Sequence, residues 1–240
     1  MRTCQKSAFW KYLPFIADYC WYEVPMKQFQ LTGTPHSLPS QWTPIYCPTL
    51  HGLTGNQADL AMVMPRIDNN RALFGANCPA DGTYAGVLTC DPFGIADSFL
   101  RRLANHGYAG VANWPSAILF QGQIKQLMAA MPATSDLEYA WLAGAQRNGF
   151  QTLAFVRSLE QGRAALNAGL RHLVLHPGLI TQTDDGPPDL LIASLRSLIE
   201  QLHRQVEDVE ILFYEHAALN KSIRAVDVGA DGTVAYLAEQ

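Results

Sequence analysis

The chain has 240 residues, 48% of them hydrophobic, and a formal net charge of -4, which is an ordinary composition for a globular protein. The acidic balance argues against nucleic acid as a partner, because binding to phosphates needs a basic surface. No stretch approaches the roughly 20 apolar residues of a membrane span, and five scattered cysteines without a CxxC pair predict reduced thiols in the cytoplasm.

The first 43 residues are set apart by their aromatic character. Between Phe9 and Tyr22 the aromatic side chains are too dense to be left in water, so this segment is predicted to pack on the following domain or on a second subunit. Polar and apolar residues alternate over Lys27–Gly33, which predicts a short strand. The predicted organisation is therefore an N-terminal segment 1–43 and one domain 44–240, assembled as a homo-oligomer.

From residue 85 onward, predicted strands and helices alternate regularly. Apolar strands are predicted to begin near residues 85, 110, 151, 172 and 210, with helical patterns between them. Two or three weaker strands precede these, and the C-terminus is predicted to add one strand or a hairpin around Ala230–Gly232. About eight strands over ~250 residues indicate an α/β fold of the (β/α)8 TIM barrel type, irregular or incomplete at its N-terminal strands. A doubly wound sheet is the alternative, although the GxGxxG fingerprint is absent.

Polar residues follow several of these strands, at the end where barrel enzymes carry their active sites. Asp91 follows the strand that begins near residue 85. Its carboxylate is a candidate metal ligand or general base, and the other interpretation is that it caps the next helix. Asn113 follows the next strand. Its amide either orients a substrate carbonyl or bonds the backbone of a neighbouring loop.

Two further strands end in ionisable residues. Alternation points Val174 and His176 into the barrel, so His176 is a candidate for proton transfer unless backbone at the following Pro-Gly turn satisfies its ring. Glu215 and His216 point to opposite faces, so only one of them is expected at the barrel mouth. Together with Asp91 and His176, that residue would form a mixed site for a divalent ion such as Mg²⁺.

Glu138 lies near the start of the predicted helix Ser135–Asn148. The Ser-x-x-Glu spacing is typical of a capping box, which makes a local role for Glu138 more economical than a substrate contact. Cys90, beside Asp91, is interpreted as a buried structural thiol and not as a nucleophile.

Several of these stretches resemble a known family. Val87–Phe93 and Gly107–Ser116 are similar to the pattern GVxxTDPF…GFxGVxNFPTV of the phosphoenolpyruvate hydrolase-like family, also called TIM-barrel signal transduction proteins. His176–Thr181 resembles that family's HMGLTT, and Thr152–Val156 resembles its TxPYVF strand. The similarity extends roughly over Ile45–His216.

The resemblance implies a TIM barrel with chemistry on a small phosphorylated or 2-oxo acid, so a small organic acid is the expected ligand. Ser116 belongs to the shared motif, and Glu138 lies where the family has an acidic helix position. The candidate catalytic residues are then Asp91, His176, Glu215 and His216. The candidate substrate-binding residues are Asn113, Ser116 and Glu138.

Two glycine-rich tips of the family pattern are missing. No run like GAGAGTG occurs between Met1 and Gly55, and Tyr214–Ala218 stands where the family has CHGGP. Glycine-rich tips let backbone N–H groups approach an anion closely. The alternative function is therefore a barrel without catalysis that serves as a ligand-binding or protein-interaction module.

Overall fold

The computed structural model describes residues 26–34, 41–75, 79–91, 95, 98–131, 133–179, 188–216 and 223–236. Eight parallel strands close into a barrel in which the strand Lys27–Thr32 pairs with the strand Gly232–Tyr236. The (β/α)8 TIM barrel predicted from the sequence is confirmed, and a doubly wound sheet is excluded because an open sheet has two edges. The predicted packing of the segment before residue 26 lies outside the described residues.

Helices separate the strands along the chain. The strands are β1 Lys27–Thr32, β2 Thr43–Tyr46, β3 Tyr84–Gly86, β4 Gly110–Ala112, β5 Gln151–Val156, β6 His172–Leu175, β7 Glu210–Glu215 and β8 Gly232–Tyr236. The helices are α1 Gly55–Asp59, α2 Asn69–Ala72, α3 Phe99–Asn105, α4 Gly122–Ala130, α5 Ser135–Arg147, α6 Leu159–Asn167, α7 Pro188–His203 and α8 Ala225–Val228, with 3₁₀ turns at Pro48–Leu50 and Ala117–Leu119.

The central strands are apolar on both faces because side chains fill the barrel and helices cover it. In β5, the residues Leu153–Val156 are all almost completely buried, as expected for parallel strands. The long helix α7 buries Leu195, Ile199 and Leu202, whose spacing places them on one face. This packing holds the C-terminal ends of the strands at fixed positions.

The structure differs from the sequence-based prediction at the first and the last strand of the barrel. β1 pairs in register with β2 and β8, so the predicted boundary between residues 43 and 44 falls inside the barrel, and the barrel is complete at its N-terminal strands. Of the two alternatives for the C-terminus, the last strand is confirmed and the hairpin around Ala230–Gly232 is wrong. β8 is parallel to both neighbours, and α8 occupies the residues before it.

The ladder of β3 ends at Gly86, and a side chain serves backbone groups beyond it. The Asn70 amide accepts from Leu88 N and donates to Leu88 O, at 3.0 and 2.9 Å. Backbone groups beyond β3 are thereby satisfied without a neighbouring strand, and the chain is free to turn at the barrel mouth.

The two ends of the barrel differ in character. A cavity of about 480 Å³ lies at the N-terminal end, lined by residues that include Lys27, Tyr84, His172 and Glu210. The candidate residues from the sequence lie instead at or beyond the C-terminal ends of the strands.

Within the described residues, no helix combines the length and apolar character needed to cross a bilayer.

Candidate active site

A buried carboxylate joins two histidines at the C-terminal end of the barrel. Asp59 is the last residue of α1, while His176 and His216 directly follow β6 and β7. Asp59 Oδ1 lies 3.3 Å from His176 Nε2, and Asp59 Oδ2 lies 2.6 Å from His216 Nε2. All three side chains are at most 1% exposed, so the carboxylate is shared by two imidazoles away from bulk water.

Aromatic rings fix the position of His176. Its imidazole stacks against Tyr214 and against Trp114, with ring centroids 4.6 and 5.4 Å away. The Gly178 N–H donates to His176 Nδ1 at 3.0 Å. Because Nδ1 accepts, Nε2 of the neutral ring carries the proton and donates to Asp59.

The cluster sets the charges of its members. Burial acts to raise the pKa of Asp59, but the hydrogen bonds and charges of His176 and His216 together lower it. Burial lowers the pKa of His176 and outweighs the opposing effect of Asp59. Asp59 is therefore an ionised acceptor at neutral pH, and His176 is a neutral donor to it.

Only one of the two residues at the end of β7 reaches this cluster. His216 contacts Asp59, whereas Glu215 accepts a hydrogen bond from Ala225 N at 3.1 Å. Tyr214 lies inside the barrel against His176, as strand alternation requires. The structure thus places the carboxylate of the predicted catalytic residue Glu215 against the first residue of α8, outside the cluster.

The three predicted substrate-binding residues form a second buried network. Asn113 Nδ2 donates to Ser116 Oγ and to Glu138 Oε2, at 3.1 and 2.7 Å. Ser116 Oγ donates to the same carboxylate oxygen, and Ala117 N donates to Glu138 Oε1 at 2.8 Å. Asn113 Oδ1 accepts from Phe155 N at 2.7 Å. The backbone contact was one of the two alternatives for Asn113, and it links the end of β4 to β5.

Glu138 is not a capping residue, so the capping-box interpretation is wrong. The N-cap of α5 is Thr134, whose side chain accepts from Leu137 N. The Glu138 carboxylate is fully buried and points to the network with Asn113. Burial raises its pKa to about 7, although hydrogen bonds from Ser116 and its neighbours favour the ionised form.

Asp91 lies in a third environment. Its Oδ2 accepts from Asn70 Nδ2 at 3.0 Å. The N-cap residue of α3, the next helix among the described residues, is Ser98. Among the described residues, no group of three or more His, Cys, Asp and Glu side chains is arranged to hold a metal ion. The described residues therefore do not fit the mixed magnesium site expected from the sequence.

The sequence reasoning missed several residues of the cluster. Asp59 ends a five-residue helix in a polar stretch, where no pattern distinguishes it from a solvated carboxylate. Trp114 belongs to a stretch that carries the family resemblance, whereas Tyr214 begins the stretch that departs from the family's CHGGP. The position of both residues near strand ends was the available signal. Their rings are almost completely buried and form the apolar walls around His176.

The arrangement is suited to proton transfer by one histidine. A buried carboxylate that accepts from an imidazole fixes its tautomer and stabilises its protonated form, as in catalytic triads. His176 uses both ring nitrogens, one with Asp59 and one with Gly178. His216 Nε2 forms the shorter contact with Asp59, which makes His216 the better candidate for proton transfer.

Comparisons with known proteins point to one family. The sequence profile described as phosphoenolpyruvate hydrolase-like matches residues 76–221. Tomato (Solanum lycopersicum) ToMV resistance protein Tm-1 is 29% identical over 133 residues, which are 53% of this chain and 18% of that protein. The uncharacterized protein y4oT of Sinorhizobium fredii is 28% identical over 132 residues, covering 53% of this chain and 67% of that protein. The chain thus spans only a small part of the tomato relative.

Solved structures with a similar arrangement are distant in sequence. The putative copper homeostasis protein CutC from Streptococcus agalactiae has a TM-score of 0.46 and 12% identity, over 88% of this chain and 98% of that one. A putative phosphonomutase from Burkholderia cenocepacia has a TM-score of 0.40 and 10% identity, over 81% and 77% of the two chains.

Proposed function

The chain belongs to the phosphoenolpyruvate hydrolase-like family, and we propose that it catalyses acid/base chemistry on a small 2-oxo or phospho acid at the C-terminal end of the barrel. The observation that carries this proposal is the Asp59 carboxylate held between His176 and His216. Barrel enzymes place catalytic groups from several strands at this end, and here β6 and β7 each contribute a histidine.

Each member of the cluster has a distinct role in the proposal. His216 exchanges a proton with C3 of the bound acid, because it forms the shorter of the two histidine contacts with the orienting Asp59 carboxylate. Asp59 orients this imidazole and stabilises its protonated form. His176 is a positioning residue, because its two ring nitrogens hold Asp59 and the Gly178 turn in place.

Proton exchange and hydrolysis are tested together on purified protein. Wild type is incubated in D₂O with pyruvate, and loss of the C3 proton signal is followed by NMR. Phosphate release from phosphoenolpyruvate is measured in parallel, each with and without Mg²⁺. General acid/base groups contribute typically 10²–10⁴-fold, so we expect His216→Gln to lose roughly 100-fold or more in the active assay.

A matched histidine variant separates catalysis from general damage. His172 lies at the opposite end of β6 with a side chain 46% exposed. His172→Gln should keep the wild-type rate, whereas Asp59→Asn should lose rate in parallel with His216→Gln. Equal rates for His216→Gln and wild type, or no turnover of either acid by the wild type, would contradict the proposal.

The second candidate is a barrel without catalysis that binds a ligand or another protein. It is favoured by the filling of the barrel end, where Trp114, Phe155 and Tyr214 pack around His176 and are at most 1% exposed. In this case the wild type turns over neither acid. The Asp59 cluster then contributes to stability alone, and its variants change only the unfolding midpoint.

A further inference from the structure

A second charged group lies beside the histidine cluster and has no part in the proton transfer. Arg157 directly follows β5, at the same end of the barrel as His176, and its side chain is half-buried. Across the described residues, none of the ion pairs includes Arg157. Its guanidinium is therefore drawn partly out of water without a carboxylate from that part of the chain, which costs free energy.

The described partner of the guanidinium is a neutral amide. In the amide orientation that satisfies both side chains, Gln121 Oε1 accepts from Arg157 Nη1 and from Nη2, the latter at 2.9 Å. A guanidinium has five N–H donors in a planar fork, and one amide oxygen cannot satisfy them all. Carboxylate and phosphate oxygens match this fork with two parallel hydrogen bonds.

One glycine connects this group to the histidine cluster. Gly178 has φ +110°, and a Cβ added there would lie 2.9 Å from Arg157 Nε. The N–H of the same residue donates to His176 Nδ1. The guanidinium and the imidazole thus pack against one turn. The positive charge of Arg157 adds to the effect of burial in lowering the pKa of His176, which places the two groups within electrostatic reach.

We propose that Arg157 is the anion-binding residue of the site and binds the carboxylate or phosphate of a small acid through its guanidinium fork. This rests on the proposed function, in which the acid reacts at the same barrel end. Half-burial strengthens the interaction with an anion, because fewer water molecules compete. An arginine side chain thereby supplies the anion contact for which the family's glycine-rich tips are missing here.

Binding is measured separately from turnover, with pyruvate and inorganic phosphate as the two probes. Isothermal titration of wild type, Arg157→Gln and Arg163→Gln compares loss of charge at the site with the same loss at an exposed position of α6. We expect Arg157→Gln to weaken binding of the preferred probe about 10-fold or more, which corresponds to about 1.4 kcal/mol. Arg163→Gln should stay within about twofold. The stronger of the two probes identifies the carboxylate or the phosphate as the group bound.

A further variant keeps folding apart from binding. Arg157→Lys retains the charge without the fork, and it should fold like wild type but bind with intermediate affinity. Binding without turnover in the wild type would overturn the proposed function and leave the role of Arg157 intact.

Three outcomes would overturn the role of Arg157. The first is equal affinity of wild type and Arg157→Gln, and the second is no binding of either probe to the wild type. The third is binding that appears only after Asp184 and Asp185, which lie outside the described residues, are changed to Asn. In that case the guanidinium is already paired within the chain.

Discussion

Two buried carboxylates at the same barrel end have pKa values that are shifted in opposite directions. Glu138 and Asp59 are at most 4% exposed, and burial acts to raise the pKa of each. Glu138 accepts from an amide, a hydroxyl and a backbone N–H, and its pKa is raised to about 7. Asp59 accepts from two imidazoles, and its pKa is lowered.

The difference between the two sites lies in how far the donors offset burial. At Asp59, the hydrogen bonds from His176 and His216 come first and the charges of these rings second, and together they outweigh burial. At Glu138, the hydrogen bonds from neutral groups do not outweigh it. A protonatable Glu138 is suited to holding the ends of β4 and β5 together. An ionised Asp59 is suited to orienting a histidine for proton transfer.

The largest expected effect concerns the removal of Glu138. Glu138→Ala leaves Asn113, Ser116 and the N–H of Ala117 without their shared acceptor. We expect the free energy of unfolding to fall by about 3–5 kcal/mol. Urea denaturation measures it, with Glu160→Ala as the control because that side chain is 80% exposed. A loss as small as that of the control would mean that the network contributes no stability.

The next effect is the dependence of stability on pH. The pKa of Glu138 rises from 4.5 to about 7 on folding, so the native state binds the extra proton, and this contribution is lost as the pH rises between those values. We expect it to amount to roughly 2–3 kcal/mol, measured as the difference between wild type and Glu138→Gln across that range. If the free energies of unfolding of wild type and Glu138→Gln changed in parallel with pH, the raised pKa of Glu138 would be contradicted.

For Asp59 we expect a dependence of the free energy of unfolding on pH with the opposite sign, measured in the same experiment. Its folded pKa lies below the ordinary 3.8, so its contribution is present above that pH and is lost as the pH falls further. The lowered pKa of His176 acts in the same direction below its ordinary 6.5. Asp59→Asn should therefore flatten the acid side of the curve, whereas Glu138→Gln should flatten the neutral side.

The smallest effect concerns Cys90, whose thiol donates to Glu138 Oε1 at 3.6 Å. A thiol is a weak donor, so Cys90→Ala should cost less than about 1 kcal/mol. Burial and the charge of Glu138 raise the pKa of Cys90 to about 12. Iodoacetamide should therefore label Cys90 slowly at neutral pH, and faster in Glu138→Gln, as followed by mass spectrometry. Equal labelling rates would show that Glu138 does not affect the thiol.

The fold could be predicted where burial left a clear pattern. β5, β6 and β7 read as continuous apolar runs because both faces of these strands are covered. The alternation over Lys27–Gly33 predicted β1 as a strand, and the structure has it at Lys27–Thr32. Its place inside the barrel follows from its pairing with β2 and β8, which local patterns do not contain.

Site residues could be predicted from the sequence only where they directly follow a predicted strand. His176 and His216 follow apolar strands, but Asp59 lies 117 and 157 residues away from them in sequence. Such a contact exists only once the barrel has closed. Glu138 shows the reverse case, because the spacing from Ser135 matched a local motif while distant donors at Asn113 and Ser116 determined its orientation.

The pairing of β1 with β8 also has a consequence for biosynthesis. Lys27 aligns with Gly232, and Tyr236 Oη lies 2.7 Å from the carbonyl oxygen of Leu53, so strand β8 completes both the ring and its contact with the loop after β2. A ribosome-bound chain that lacks β8 exposes the edges of β1 and β7, which are templates for pairing with other chains. Closure over so long a sequence separation is slow, and the nascent barrel is therefore vulnerable to aggregation until β8 has left the ribosome and paired with both edges.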